Sequence, residues 1–489
     1  MLTKLHLINY KSYKDSEIEI KPITIFCGGN SSGKTSIIKS ILLMKQSFEA
    51  SGNNYLLING PYTNNGLYDD LCRKSVDENT DEMSISASYS ITPSNNSFRD
   101  ICKSLGMSSR SNHFCSFQID SSFKFKKNHD FPQIGEIKET SVKFTLHFSD
   151  QATNYTNQSR VSEIRIAQCL DQTHYTIDLF SFPIPLYSKS KEEYPFIFFD
   201  RSWDKCTCYF RGMQLVSLYK DSLSKKDTSA LPILYTLFRV LSSELDKTKY
   251  IGPLRETPQR QYSLQDICSD IGVKGENTAN FLGQFYNRSV DTFLPNCISK
   301  ETTTLGNAVK EWATFLGIEK LTIDNSDIPG VKITQINIGD QNIVDVGFGI
   351  SQVLPILVEG LSIHTGDTLI LEQPEIHLHP KMQMEMTDFL ISLAKQEKNL
   401  IVETHSDHVI NRLVRRALED SALKNIIQIY FIEKDFSNCS TLTKVDIDET
   451  LGIDNAPIGF FDQYASETNQ ILKSGYSNMK SRLRGNSYE

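Results

Sequence analysis

The sequence contains no apolar run of the roughly 18 residues that a membrane-crossing helix needs. Its opening, "MLTKLHLINYKSYKD", mixes polar and apolar side chains and lacks the unbroken hydrophobic stretch of a signal peptide. The expectation is a soluble, cytoplasmic protein without a membrane partner. There is no surplus of positive charge either. Lys and Arg total 51 against 59 Asp and Glu, a net of −8, so any nucleic-acid contact would need a local basic patch. The ten cysteines are scattered without a disulfide framework, which suits a reducing compartment. Cys206 and Cys208 form the only close pair and lack a second Cys/His pair at zinc-finger spacing, which argues against structural zinc. No heptad run and no internal repeat is present, so long coiled-coil arms are excluded.

What is present begins near the start. Residues 2–9 and 17–26 alternate or run apolar and read as strands, the second ending at glycines. "TSIIKSILLMKQ" then places Ile37, Ile38, Ile41 and Leu42 at helical spacing. Between strand and helix lies "GGNSSGKT", Gly28 to Thr35, which fits G-x-x-x-x-G-K-[ST]. Glycines at 28 and 33 let backbone N–H groups turn inward around phosphate oxygens. Lys34 would reach the terminal phosphates, and the Thr35 hydroxyl would ligate magnesium. The helix start adds its positive dipole end.

A phosphate loop needs a metal-binding acid at the end of a buried strand. "DTLILE" (367–372) supplies Glu372, with Gln373 and Glu375 close behind. "NLIVET" (399–404) is a second buried strand, separated from the first by a helix of about 17 residues, so the two predict a β-α-β unit with a parallel sheet. His405 closes that strand and could hydrogen-bond a terminal phosphate or attacking water. His377 and His379, or Glu403, His405, Asp407 and His408, could make a metal-ligand list, but spacing alone is weak evidence and magnesium with ATP is the simpler account. In "VDVGFGISQVLPIL", Gly347 and Gly349 make a flexible turn and Ser351 can cap the following helix. Pro355 is tolerable there in a first helical turn. That second exposed helix start could also accept phosphate, which implies two chains sharing each nucleotide.

Taken in order, "GGNSSGKT", "GFGISQ", "LILEQPE" and "ETHSDH" resemble the Walker A, signature, Walker B and switch-histidine motifs of ABC/SMC-type ATPase heads. The chain is most similar in type to the bacterial OLD-like "AAA" ATPases that lack long coiled coils. "KYIGPLRETPQRQY" (249–262) and "PIGFFDQYASETNQIL" (457–472) look like segments of one branch of these proteins. The resemblance implies an α/β fold, a P-loop ATPase head carrying a β-rich insertion. Residues 1–50 would be the N-terminal part of the head and 51–248 a variable β-rich insertion with a helical segment. Residues 249–472 would be its C-terminal part and 473–489 a tail. The insertion itself resembles nothing we identify. ATP and Mg2+ are the implied cofactors. Gly28, Asn30, Ser31, Ser32, Gly33, Lys34, Thr35 and Ser36 would bind the nucleotide, with Gly349, Ser351 and Gln352 reaching ATP on the opposite subunit. Thr35 and Glu372 would hold the metal, and Glu372, Gln373, Glu375 and His405 would serve catalysis.

Such heads pair head to tail around two ATP molecules, so a homodimer, or a higher oligomer, is implied. Many relatives of this type, the Septu and PARIS ATPases among them, are the ATPase half of anti-phage systems. No Toprim or HNH-like motif occurs here, so a nuclease or toxic effector would be a separate polypeptide. One departure affects mechanism. Gln373 stands where these heads usually carry a glutamate, and an amide orients water without taking its proton, so hydrolysis would be slow. An ATP-gated scaffold that does not hydrolyse, and a DNA-repair ATPase, are the alternatives. "FKFKK" (123–127) and Arg412, Arg415 and Arg416 are the candidate nucleic-acid contacts, and Arg255 a candidate phosphate contact.

The alternating stretches Met83 to Ile91, Val142 to Phe148 and Tyr175 to Leu179 predict half-buried antiparallel strands in the insertion, and "SALPILYTLFRVLSSELDK" predicts a buried helix after it.

Overall fold

The computed structural model describes residues 1–51, 55–73, 81–105, 114–148, 159–169, 174–185, 196–220, 223–264, 268–328, 331–448 and 452–454, with isolated positions up to 476. Much of the 457–472 segment and nearly all of the 473–489 tail lie outside them.

The chain opens on β1 (Leu2–Tyr10), β2 (Tyr13–Glu19) and β3 (Ile23–Gly28), followed by α1 (Lys34–Glu49). Short β4 (Tyr55–Leu57) and α2 (Tyr68–Leu71) lead to β5 (Glu82–Ile91) and α3 (Asn96–Ser104). A meander comes next: β6 (Phe114–Lys127), β7 (Ile134–Phe148), β8 (Ser159–Gln168), β9 (Tyr175–Pro185), β10 (Phe196–Arg211) and β11 (Gln214–Tyr219). Then come α4 (Lys225–Asp246), β12 (Thr248–Ile251), β13 (Tyr262–Leu264), α5 (Thr278–Phe285), β14 (Ser289–Thr292), β15 (Glu301–Thr304) and α6 (Leu305–Phe315). After β16 (Leu321–Ile328), β17 (Val331–Ile338) and β18 (Gln341–Asn342), α7 (Phe348–Ser362) precedes β19 (Thr368–Glu372) and α8 (Pro380–Ala394). The described elements close with β20 (Asn399–Glu403), α9 (Asp407–Glu419), α10 (Ser421–Ile426), β21 (Ile427–Lys434), β22 (Ser440–Asp448) and β23 (Gly452–Asp454).

Two large sheets organise these elements. One has seven strands in the order β12-β19-β20-β3-β21-β22-β23. Its first five strands are parallel, and β22 and β23 turn back antiparallel. All five residues of β19 and of β20 are buried, as expected of a sheet covered on both faces. The alternation assigns the faces. Phe26, Ile370, Ile401 and Tyr430 point into a core shared with α1 and α4, while Ile25, Cys27, Leu371 and Val402 point into a core shared with α6 to α9. Burying each such aliphatic side chain stabilises by about 1.5–3 kcal/mol.

The second sheet is antiparallel, in the order β11-β10-β9-β8-β7-β6-β5-β1-β2, with β4 on β7. The strands after α1 therefore continue the sheet that β1 and β2 begin, because β5 pairs with β1 from Leu2↔Tyr89 to Ile8↔Ser84. The alternating residues behave as expected: Met83, Ile85, Ala87, Tyr89 and Ile91 are buried on β5, as are Val142, Phe144 and Leu146 on β7. Among the described residues the longest helix is α4, 22 residues long. None is long and apolar enough to cross a membrane.

The start of α7 differs from the expectation. The helix begins at Phe348 behind Gly347, which makes no side-chain cap bond, so Ser351 lies inside the first turn and not at the cap. Pro355 falls in the helix interior. Having no N–H, it donates no helical bond there.

Candidate nucleotide-binding site

β3 ends at Gly28 with φ 136°, Ser31 adopts φ 59° and Gly33 φ 114°. Tight packing dictates the two glycines of the motif. A Cβ on Gly28 would lie 2.2 Å from the Ile432 carbonyl oxygen, and one on Gly33 would lie 2.5 Å from Ser440 Oγ. The loop is clasped from outside by two turns distant in sequence. Tyr13 Oη donates to the Gly33 carbonyl at 2.9 Å, and Ser440 Oγ donates to the Ser32 carbonyl and lies 2.6 Å from Ser12 Oγ.

Helix α1 follows without a side-chain cap and without an acid in its first turn, so its leading N–H groups and dipole face the loop uncompensated. Such a helix start is a ready anion site. Lys34 Nζ donates to the carbonyls of Gly28 and Gly29 at 3.2 and 2.6 Å. Burial pulls the ammonium below the usual lysine range, and Glu403 opposes the shift.

The loop opens onto a cleft of about 1080 Å³. It is lined by Asn30 to Ser36 with Lys39, by Gln373, Glu403 and His405, and at its rim by Lys11, Arg73 and Lys434 together with Asp69 and Asp70. The cationic rim residues and Lys39 carry no motif, so sequence reasoning passes over them.

Strand order explains which acid meets the loop. β20 lies between β3 and β19, with Glu403 opposite Phe26 on one side and Glu372 on the other. Period-two alternation puts both carboxylates on the α1 face. The Thr35 hydroxyl donates to Glu403 Oε1 at 3.0 Å. Glu372 Oε1 instead accepts the Tyr250 hydroxyl at 2.9 Å, and Arg255 donates to the Glu372 carbonyl at 3.1 Å. Burial and then the neighbouring Glu403 push the Glu372 carboxyl up to about 7. Burial raises Glu403 too, against the Thr35 bond and the Lys34 charge. The sequence holds a signal for Glu403 that is easily passed over: "LIVE" repeats the pattern of "LILE", four residues ending in Glu at the end of a buried strand.

Gln373 follows with φ 46°, a left-handed backbone that a non-glycine residue adopts at some cost. Its backbone N–H donates to the Glu403 carbonyl at 2.8 Å, tying the two strand ends together. Glu375 is buried, and its Oε1 accepts the His405 backbone N–H at 2.7 Å. Burial and then the nearby Lys34 lower the His405 pKa, against a bond to the Gly28 backbone, which favours the neutral ring. A neutral imidazole can both donate and accept.

Gly349, Ser351 and Gln352 sit apart from the residues lining this cleft. The start of α7 packs on the turn after β19, where a Cβ on Gly349 would lie 2.6 Å from the His377 carbonyl oxygen. His379 is the N-cap of α8. Arg255 braces the end of β19 instead of facing the cleft. The basic stretches are engaged elsewhere too. Phe123 and Phe125 are in the core, while Lys124, Lys126 and Lys127 pair with Glu139, Glu136 and Asp69. Arg412 and Arg416 share Asp388, and Arg415 and Arg416 share Glu419.

Among solved structures, the chain is similar to an SMC head bound to the C-terminal winged-helix domain of ScpA (11% identity, 92% of this chain and 99% of that one, TM-score 0.41). It is likewise similar to the SMC head domain of Thermotoga maritima (11% identity, 91% and 99%, TM-score 0.38). A third similar structure is an Smc head with an extended coiled coil bound to the C-terminal domain of ScpA, derived from Pyrococcus furiosus (11% identity, 91% and 96%, TM-score 0.37). No curated protein matches. The family model described as AAA ATPase domain matches residues 1–410, a span that runs across the β-rich region as well as the phosphate loop and both acidic strands, and the chain belongs to that family.

Proposed function

We propose that the chain binds ATP with magnesium and hydrolyses it slowly as one half of a head-to-tail pair, and that this pair controls a separate nuclease or toxin in anti-phage defence. The observation that carries the reading is the convergence on one cleft of the Gly28–Thr35 loop, Glu403, Gln373 and His405. The α1 start and Lys34 offset phosphate charge. A buried carboxylate oxygen of Glu403 without a protein partner suits a cation beside Thr35, so the residues present fit magnesium, with Glu372 behind. Bound there, magnesium would neutralise charge on the phosphates. Gln373 orients water, neutral His405 hydrogen-bonds the terminal phosphate or that water, and Glu375 holds the His405 backbone in place.

Pairing rests on the motif resemblance: Gly349, Ser351 and Gln352 lie outside the cleft of their own chain, with Ser351 and Gln352 buried in α7. The defence role rests on the motif resemblance, and the effector lies outside this chain. Gln373 favours one further reading, an ATP-gated scaffold that assembles without turnover.

Light scattering with and without ATP and magnesium, with phosphate release followed on the same sample and Lys34→Ala as control, tests the proposal. ATP-dependent dimers with slow phosphate release are expected, and the control should show neither. Dimers without phosphate would favour the scaffold, and no response to ATP would sink both readings. Plaque counts on cells carrying the gene with its genomic neighbours, as wild type or Lys34→Ala, check the defence role; equal protection would refute it.

A further inference from the structure

We propose that Glu403 is the principal protein carboxylate holding the metal ion that accompanies the nucleotide, with Glu372 in a supporting place behind it. The inference rests on the ATP reading above and deepens it to one side chain.

Three observations converge. The Thr35 hydroxyl gives its single proton to Glu403 Oε1 at 3.0 Å, which leaves the hydroxyl lone pairs available to a cation. Second, Glu403 Oε2 is buried without a hydrogen-bond partner, on a residue only 4% exposed. Burying a carboxylate oxygen unpaired is costly, and a bound cation removes that cost. Third, Glu403 lines the cleft and Glu372 does not, and an oxygen of Glu372 is already taken by the Tyr250 hydroxyl at 2.9 Å.

The topology explains why the outer acid is the lesser one. β20 lies against β3, so its terminal carboxylate falls beside the loop, whereas the carboxylate ending β19 stands one strand farther away. An acid that ends the intervening strand shields the acid behind it from the cleft. Two protein oxygens, one from Thr35 and one from Glu403, match the sparse protein coordination usual for magnesium held with phosphates.

The test reads metal affinity and not turnover. Mn2+ is titrated into the protein–ATP complex and followed by electron paramagnetic resonance, and fluorescent ATP binding is measured separately in EDTA. Glu403→Gln should weaken Mn2+ binding about tenfold or more while metal-free nucleotide binding persists. Glu372→Gln should shift it by no more than about threefold. Glu403→Asp, which keeps the charge and withdraws the carboxylate by one methylene, should fall between and serves if the glutamine variant fails to fold. Unchanged Mn2+ affinity in the Glu403 variants, or a larger loss in Glu372→Gln, would overturn the inference and leave the nucleotide reading standing. Wild-type protein that binds no nucleotide with or without metal would overturn both.

Discussion

The carboxylate of Glu375 accepts the backbone N–H of His405 at 2.7 Å, joining the turn after β19 to the end of β20. Glu375 thereby fixes where the His405 ring stands, although it does not line the cleft itself. A glutamine oxygen accepts the same N–H, whereas alanine cannot. Glu375→Gln should keep hydrolysis within about threefold of wild type, and Glu375→Ala should lose roughly tenfold or more, since an unsatisfied buried donor costs about 1–3 kcal/mol. Phosphate release under single-turnover conditions decides. Abolished turnover in Glu375→Gln would make Glu375 the proton acceptor instead.

Two neighbouring glycines should behave oppositely. Gly28→Ala drives a Cβ against the Ile432 carbonyl at a backbone angle side chains rarely adopt, and should cost on the order of 2 kcal/mol or more of stability. Gly29 has nothing within 4 Å of an added Cβ, so Gly29→Ala should stay within about 0.5 kcal/mol. Chemical denaturation compares them. Equal effects would mean that the clasp around the loop is loose.

Ser351 needs a small substitution, because it is buried in α7 and a bulky one would disturb the helix before it tested any contact. Ser351→Ala should leave ATP binding to a single chain near wild type and weaken ATP-dependent pairing roughly tenfold, read by light scattering over a protein dilution series. Unaltered pairing would remove Ser351 from the shared site.

Glu359, buried in α7, provides a pH test remote from the cleft. Burial pushes its carboxyl up to about 7 from an ordinary value of 4.5, with Lys249 opposing. The folded state therefore holds this proton more tightly than the unfolded state. The associated stability is complete below pH 4.5 and drains away as pH rises toward 7. Glu359→Gln lacks that loss, so its advantage over wild type should grow from near zero at pH 4.5 to on the order of 1–3 kcal/mol at pH 8. Paired denaturation curves at the two pH values check the sign. A variant no more stable than wild type at pH 8 would refute the buried-acid account.

The phosphate loop was legible because a cradle made of backbone N–H groups is a local object: Gly28, Gly33, Lys34 and Thr35 sit within one turn and need no distant partner to be read. The strands at Glu372 and His405 were legible for a similar reason, as short apolar runs ending in polar residues. What escaped was strand adjacency. Glu403 belongs beside Thr35 only because β20 inserts between β3 and β19, an ordering that spans almost 400 residues of chain. The same limit applies to the lysines of "FKFKK". Alternation sends Phe123 and Phe125 inward, but the acids that occupy Lys124, Lys126 and Lys127 lie on other segments. The continuation of the N-terminal sheet from β1 into β5 was equally hidden, since pairing across α1 leaves no local mark.

The clasp on the phosphate loop makes the two ends of the chain indivisible. Ser12 and Tyr13 come from the first turn, Ser440 from a hairpin more than 400 residues later, and Gly33 leaves room for all three. A polypeptide split anywhere in between would have to reunite both pieces before the loop took shape. Separately expressed halves should thus be silent alone and complement each other when mixed, and a chimera that borrows either end from another protein inherits a mismatched fastening.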